Sequence, residues 1–326
     1  MSGGALGDVL KVWGYAIASV FLGAWVAPWL YNIGKTLAEV TSGKQTNGLI
    51  EWVAGFCRQA DFPQFFVISL CLMAAVLGIL WAVLMRVGRG GGGLNGPWQI
   101  RSASVLGPLY HDQALVRNPE AWRHVLLGLG MGGVMGVLWL VFGNMWLGGA
   151  VRFVPVSLRS LMGFWIFAMG LGVLQEIFFR GVVLGIFLRA MRPVLALGLA
   201  SVLFALVHLL IPAAGVDVVD PEASAVGFEM LGLLGSHVFQ VKVILGSVVP
   251  LLALGGVLAF ARWRTASLWL PIGLHVGWSF AMQMEACFTV RVAHWNGDIA
   301  AVVSVCGAGC IIKYLTTDGA RITAKG

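Results

Sequence analysis

A glutamate and an arginine lie one helical turn apart inside the apolar stretch Leu171–Arg192. Glu176 and Arg180 are four residues apart, so in a helix they share one face and can form an ion pair. A charged side chain at the centre of a membrane helix costs roughly 2.5–3.5 kcal/mol to insert, and such residues are usually functional. Pairing lowers this cost but does not explain why the charges are present, so the pair is the first part of a candidate site.

Two further apolar stretches each carry one histidine, His208 and His275. A buried carboxylate and an imidazole can together activate water, and a second imidazole with a neighbouring donor can stabilise an oxyanion. Ser279 follows His275 by four residues and lies on the same helical face. These residues suit hydrolysis of an amide bond within the membrane. Structural roles stay open: an ion pair alone, or interhelical hydrogen bonds from the histidines.

Zinc binding is a second chemistry that two histidines and one glutamate could support, because they leave a coordination position open. Arg180, one turn from Glu176, would compete for that carboxylate, so we predict a site without metal or other cofactor. The chain has neither the H-E-x-x-H pattern of zinc proteases nor the G-x-S-x-G pattern of serine hydrolases.

The composition is typical of a helical membrane protein. Of the 326 residues, 59% are hydrophobic and 11% are charged, whereas soluble domains average about 25% charged residues. The apolar runs are about 20 residues long, which suits membrane helices rather than barrel strands. The 45 glycines are typical of helices that approach closely in lipid. We therefore predict an all-α, polytopic membrane protein.

About eight transmembrane helices are predicted from the apolar runs. They lie at Val12–Tyr31, Gln64–Leu84, His124–Phe142, Leu161–Arg189, Val194–Ile211, Val243–Phe260, Leu268–Met284 and Ile299–Ile312. Asn32–Pro63 is predicted as a mixed loop, and Phe228–Leu234 as a short interfacial or re-entrant helix. We predict an N-terminal two-span region at 1–123, ending in a basic glycine-rich cytoplasmic loop, and a core membrane domain at 124–326.

The basic residues set the predicted orientation, because cytoplasmic loops carry an excess of Lys and Arg. With eight spans and a cytoplasmic N-terminus, 14 of the 21 Lys and Arg residues lie on or toward the inside. We therefore expect both termini in the cytoplasm. The net charge of +7 then needs no nucleic-acid partner, and the expected partners are the lipid bilayer and a membrane-associated peptide or protein.

The candidate residues are predicted to lie at similar depths. The helices on either side of Met191–Pro193 form a hairpin. Glu176 lies 14 residues before Ala190 and His208 lies 14 residues after Val194, which is ~21 Å for each at 1.5 Å per residue. His275 follows Arg264 by 11 residues, which places it ~16 Å from the inner face. Helix tilt absorbs this difference, so one buried site can contain all of them.

Three motifs carry a resemblance to a known family, and they are Gln175-Glu176-x-x-x-Arg180, Phe204-x-x-x-His208 and His275-x-x-x-Ser279. Their order and spacing within residues 161–280 resemble the motif series of the CAAX protease and bacteriocin-processing family (CPBP), whose eukaryotic relatives are the CAAX prenyl endopeptidases. The resemblance implies an eight-helix, CAAX-protease-like intramembrane bundle and glutamate-dependent, metal-independent peptide cleavage. This chain has Gln175 where the family has its water-activating glutamate, and Ser279 where the family usually has asparagine.

The resulting hypothesis is a multi-pass endopeptidase of the bacterial inner membrane. Glu176 would activate water together with His208, and His275 would stabilise the oxyanion. The supporting residues are Gln175, Arg180, Phe204 and Ser279.

Two other functions fit the same residues. Glutamine cannot accept a proton as a base, so Gln175 also suits a non-catalytic family member that acts as a bacteriocin-immunity protein or a membrane scaffold. The buried Glu, Arg and His also suit a proton-coupled transporter, although the chain has no evident internal repeat.

Overall fold

The computed structural model describes residues 3–44, 47–87, 119–145, 155–212, 216, 218–284, 307, 309–310 and 312–313. All regular structure within these residues is helical, which confirms the predicted all-α class. The helices in chain order are α1 (Gly3–Val40), α2 (Gly48–Gln59), α3 (Phe62–Val87), α4 (Ala121–Met145), α5 (Leu158–Glu176), α6 (Leu184–Ala190), α7 (Pro193–Leu209), α8 (Val226–Val238), α9 (Val241–Val243), α10 (Val249–Thr265) and α11 (Trp269–Gln283).

Two π-helical segments interrupt the longer helices. Ile177–Val183 joins α5 to α6, and Ile244–Val248 joins α9 to α10. The predicted fourth span is therefore one continuous helical rod with a change of helical period directly after Glu176. Such π segments are uncommon in proteins, and those that occur often lie at functional sites.

Four helical stretches among the described residues are long and apolar enough to cross a membrane. They are Leu6–Val40, Phe62–Trp81, Ala121–Leu138 and Leu158–Ala190. Helices α7 and α8 are shorter apolar helices. The chain is therefore a membrane protein, while the count of eight spans stays a prediction. The eighth predicted span, Ile299–Ile312, and the glycine-rich loop lie almost wholly outside the described residues.

The predicted hairpin tip at Met191–Pro193 is confirmed. Helix α6 ends at Ala190 because Met191 is extended, with φ −150° and ψ 174°. Pro193 then begins α7, where its missing N–H costs nothing and its fixed φ suits the first turn.

The prediction of a loop over Asn32–Pro63 is wrong. Helix α1 continues to Val40, and α2 occupies Gly48–Gln59. Charged residues in this stretch indicated a loop, but Glu39 and Arg58 lie on exposed faces of these helices. Charge placed on one face of an amphipathic helix is compatible with a fully helical backbone.

The described chain forms two compact units. The motif unit contains residues 3–8, 119–206 and 240–284 together with the described residues of 307–313, and the α1 unit contains residues 9–87 and 207–239. The division into domains at 1–123 and 124–326 stays a prediction from the sequence.

The α1 unit is built from α1, α3 and α8. Its buried cluster contains Ala24, Ala27, Phe62, Phe66, Val226, Met230 and Leu234. Gly227 makes this packing possible, because a Cβ at that position would overlap the carbonyl of Ala24. The polar Ser69 is buried but satisfied, since its Oγ lies 2.8 Å from the carbonyls of Gly23 and Phe66.

Glycines at intervals of four residues hold α4 against α11 in the motif unit. A Cβ on Gly128 or Gly132 would overlap the carbonyls of Leu270 and Leu274 on α11. A Cβ on Gly277 of α11 would lie 2.5 Å from the carbonyl of Leu129 on α4. This reciprocal small-residue contact lets the two backbones touch, and it fixes the helix that carries His275.

Candidate functional site

Glu176 and Arg180 form a buried ion pair. Glu176 is the last residue of α5 and is fully buried, and Arg180 lies in the following π segment with 2% of its surface exposed. Arg180 Nη1 donates a hydrogen bond of 2.8 Å to Glu176 Oε1. The pair is therefore kept from water. In such a buried position the two charges attract each other more strongly than at a surface, but their removal from water also has a desolvation cost.

His275 contacts the same carboxylate oxygen. Its Nδ1 lies 2.7 Å from Glu176 Oε1, and its ring is 4% exposed. An ionised carboxylate only accepts hydrogen bonds, so Nδ1 carries the proton and donates it. Nε2, the other ring nitrogen, is left for a different contact.

The second oxygen of Glu176 differs from the first. Oε2 is buried and has no hydrogen-bond partner among the described residues. A buried polar group without a partner is rare and needs an explanation such as a catalytic role. Within this carboxylate, Oε1 anchors the side chain and Oε2 is the atom available for chemistry.

Arg180 is held by two further groups. Its Nη2 donates a 3.2 Å hydrogen bond to the carbonyl of Gly255 on α10, and its guanidinium carbon lies 4.3 Å from the centre of the Phe204 ring. Phe204 on α7 also meets His275 edge to face, with ring centroids 5.8 Å apart. One aromatic side chain therefore contacts both partners of the carboxylate.

The sequence did not indicate the importance of two glycines that lie near the site. Without a Cβ, Gly255 lets α10 approach α7, because that atom would lie 3.1 Å from Ser201 Cα. Gly172 does the same for α5 and α11, where a Cβ would lie 2.8 Å from Val276 Cγ2. The only available signal was their small size, and 45 glycines in one chain make that signal unspecific.

The remaining predicted residues lie on three helices, Gln175 on α5, Ser279 on α11 and His208 on α7. Gln175 Oε1 is buried without a hydrogen-bond partner among the described residues. Ser279 is half-buried, one turn after His275, and its carbonyl accepts a 3.3 Å hydrogen bond from Gln283 Nε2. His208 follows Phe204 by one turn of α7 and belongs to the α1 unit, so its role stays a prediction.

Hydrolysis is the chemistry that this arrangement suits. A fixed carboxylate with one unpartnered oxygen can accept a proton from water, and an imidazole held by the same carboxylate can face developing charge through Nε2. Within the described residues, no group of three or more His, Cys, Asp and Glu side chains is placed to hold a metal ion.

Comparison with known proteins finds one family that part of the chain matches. A family model described as type II CAAX prenyl endopeptidase Rce1-like matches residues 157–281. No curated protein and no solved structure gives a significant match. The matched segment includes every predicted site residue, from Gln175 to Ser279, and confirms the resemblance found in the motifs. Residues 157–281 are therefore similar to the Rce1-like family of CAAX prenyl endopeptidases, which is a protease family.

Proposed function

We propose that this chain is an intramembrane endopeptidase that hydrolyses a peptide bond of a membrane-associated protein or peptide. The observation that carries the proposal is the carboxylate of Glu176. It is fully buried, its Oε1 is anchored by Arg180 and His275, and its Oε2 has no partner among the described residues. An anchored carboxylate with one unengaged oxygen is the arrangement that a general base needs.

In the proposed reaction, Glu176 Oε2 accepts a proton from water while the water oxygen adds to the carbonyl carbon of the substrate. The carbonyl oxygen becomes an oxyanion, and the C–N bond then breaks as the proton passes from the carboxyl group to the leaving nitrogen. One water is consumed, and a carboxylic acid and an amine are formed.

The other residues keep the roles predicted for them. Arg180 orients Glu176, and the contact of its guanidinium with Phe204 supports that orientation. His275 donates to the oxyanion through Nε2, which requires the ring to be protonated at both nitrogens, and Ser279 is a second donor. His208 assists proton transfer, a role that rests on the motif order alone.

We further propose the bacterial inner membrane as the location, with both termini in the cytoplasm. The distribution of Lys and Arg supports this orientation, and the four candidate membrane-crossing stretches support a multi-pass arrangement.

The test is cleavage of fluorogenic peptides, with and without a prenylated cysteine, by the purified full chain in proteoliposomes. Glu176→Gln keeps the size of the side chain but removes the base, so we expect a loss of roughly 10²–10⁴-fold in kcat. Glu39→Gln is the matched control, because Glu39 is exposed on α1, and it should retain full activity. Equal rates for Glu176→Gln and the control would rule out the proposed mechanism.

A chelator separates this mechanism from the zinc alternative. Because Glu176 Oε1 already faces the Arg180 cation, we expect cleavage to be unchanged in the presence of 1,10-phenanthroline. Inhibition that added zinc reverses would instead assign the reaction to a metal.

A non-catalytic binding protein is a second candidate, and Gln175 favours it. The amide Oε1 of Gln175 is buried without a partner among the described residues, at the position where the family motif has a glutamate. If the chain only binds peptides, wild-type protein cleaves none of them, and Gln175→Glu creates cleavage. If the chain is an enzyme using Glu176, Gln175→Glu changes an activity that is already present.

A further inference from the structure

Helix α2 connects two of the four membrane-crossing stretches. It contains 12 residues and is therefore about 18 Å long, which is too short to cross a hydrocarbon core of about 30 Å. Because it follows α1 and precedes α3, a helix of this length suits a position at one surface of the membrane. It lies outside residues 157–281, the part that the family model matches.

The inner face of α2 is fixed by packing. Ala54 and Cys57 are buried, and Cys57 shares a cluster with Ala38, Ala60 and Phe65. Gly34 on α1 permits this contact, since a Cβ there would lie 2.5 Å from Phe65 Cε1 and 3.2 Å from Cys57 Sγ.

Hydrogen bonds fix both ends of α2. The side chain of Asn47 accepts a 2.9 Å bond from the backbone N–H of Ile50, which caps the N-terminus. Lys35 Nζ donates a 2.7 Å bond to the carbonyl of Ala60, where a cation also suits the helix dipole. The rotation of α2 about its axis is therefore set, and so is the direction of its outer face.

That outer face exposes three large apolar side chains. Leu49, Trp52 and Phe56 are three and four residues apart, which places them in one stripe, and they are 70%, 71% and 42% exposed. Glu51 and Arg58 are also exposed, but at 100° per residue they lie roughly opposite this stripe.

We propose that Leu49, Trp52 and Phe56 insert into the boundary between lipid headgroups and acyl chains, so that α2 lies in the plane of the membrane surface. Leu, Trp and Phe on one face with charges on the other is typical of interfacial helices, and Trp is enriched at this depth. The later turns of α1 also expose Trp29 and Ile33, and large apolar side chains that are exposed in this way on a candidate membrane helix suit contact with lipid.

Photo-crosslinking in the full chain tests this surface. A benzophenone amino acid is placed at 49, 52 or 56 and, as matched controls, at 51 or 58, and each protein is reconstituted in phosphatidylethanolamine–phosphatidylglycerol vesicles. We expect phospholipid adducts, measured by intact mass, at least tenfold more abundant at 49, 52 and 56 than at 51 and 58. Three test positions keep the result independent of any single variant that fails to fold.

Two results would overturn the proposal. Equal lipid adducts at 52 and 51 would show that the outer face has no special contact with the bilayer. Crosslinks from 52 to a second copy of the chain would show instead that this face is an interface between copies. Neither result depends on peptide cleavage, so the proposed lipid contact is tested independently of the proposed enzymatic function.

Discussion

At the scale of single residues, one carboxylate has two different oxygens. Arg180 and His275 both contact Glu176 Oε1, while Oε2 has no partner among the described residues. The sequence predicted that Glu176 and Arg180 would pair, because four-residue spacing on a helix fixes that geometry. It could not predict that His275 shares the same oxygen, since this depends on the rotation of two helices about their own axes.

Removing Arg180 alone should destabilise the protein strongly. Arg180→Met leaves the Glu176 charge buried without its partner, which costs about 3–5 kcal/mol. Among the Arg180 variants, we expect Arg180→Met to have the largest drop in Tm, measured in detergent. The double variant Glu176→Gln/Arg180→Met should recover part of the loss, because no unpaired charge remains. A double variant less stable than Arg180→Met would show that the pair is not coupled in this way.

Arg180→Lys should not restore the wild-type Tm. Lysine keeps the charge but lacks the planar fork that reaches Glu176, Gly255 and Phe204 at once. We expect a Tm between those of Arg180→Met and the wild type. A Tm equal to that of the wild type would mean that charge alone determines the stability of this group.

His275→Gln separates two roles for the imidazole. Glutamine retains a hydrogen-bond donor but cannot act as a base near neutral pH. If His275 only donates to the oxyanion, we expect kcat to fall by roughly 10²–10³-fold, the cost of weakening one such donor, with KM nearly unchanged. Two observations together would assign proton transfer to His275 instead. They are complete loss of cleavage in His275→Gln and a wild-type cleavage rate whose pH dependence follows the titration of one base.

At the scale of the helices, close packing depends on glycines whose importance the sequence did not reveal. The apolar runs predicted the cores of α3, α4 and α7 well, because helix-length hydrophobicity is a strong signal. Gly128, Gly132 and Gly136 stand at intervals of four, and this spacing could have indicated the contact with α11. The sequence did not predict the amphipathic α2, because charged residues in this stretch indicated a loop.

Adjacent glycines on α4 give a matched test of that contact. A Cβ at Gly132 would overlap the carbonyl of Leu274 and lie 2.7 Å from the nitrogen of Trp278, whereas a Cβ at Gly133 meets nothing within 4 Å. We expect Gly132→Ala to destabilise by about 1–3 kcal/mol through overpacking. Gly133→Ala should be neutral or stabilise by up to about 1 kcal/mol, since alanine favours helix. Similar Tm values for the two variants would contradict this contact.

At the scale of the whole molecule, part of the segment that matches the Rce1-like family model belongs to the α1 unit. Residues 207–239 lie within the matched segment 157–281 but group with residues 9–87. The buried cluster of α8 with α1 and α3 explains this, because Val226 and Met230 have their apolar partners on those helices. The sequence could not show this packing, because the apolar residues of α8 do not identify the helices that they contact.

A chain that begins at residue 119 should therefore fail to fold stably. Without residues 1–87, α8 loses Ala24, Phe62 and Phe66 as packing partners, and we expect low yield in membranes and rapid proteolysis between 207 and 239. Co-expression of residues 1–87 as a separate chain should restore protection. In the full chain, Gly227→Ala should reproduce the sensitivity and Gly232→Ala should not, because only the first would overlap Ala24. A protected, monodisperse 119–326 chain would contradict this expectation.

The carbonyl that receives Arg180 belongs to the main chain of Gly255, not to a side chain. No amino-acid substitution at position 255 can delete that oxygen. Variation can only move it, by changing how closely α10 approaches α7. The anchoring of the arginine is therefore controlled by the size of residues such as Gly255 and Ser201. Even a chemically conservative replacement at these positions should weaken the anchoring in proportion to the side-chain volume that it adds.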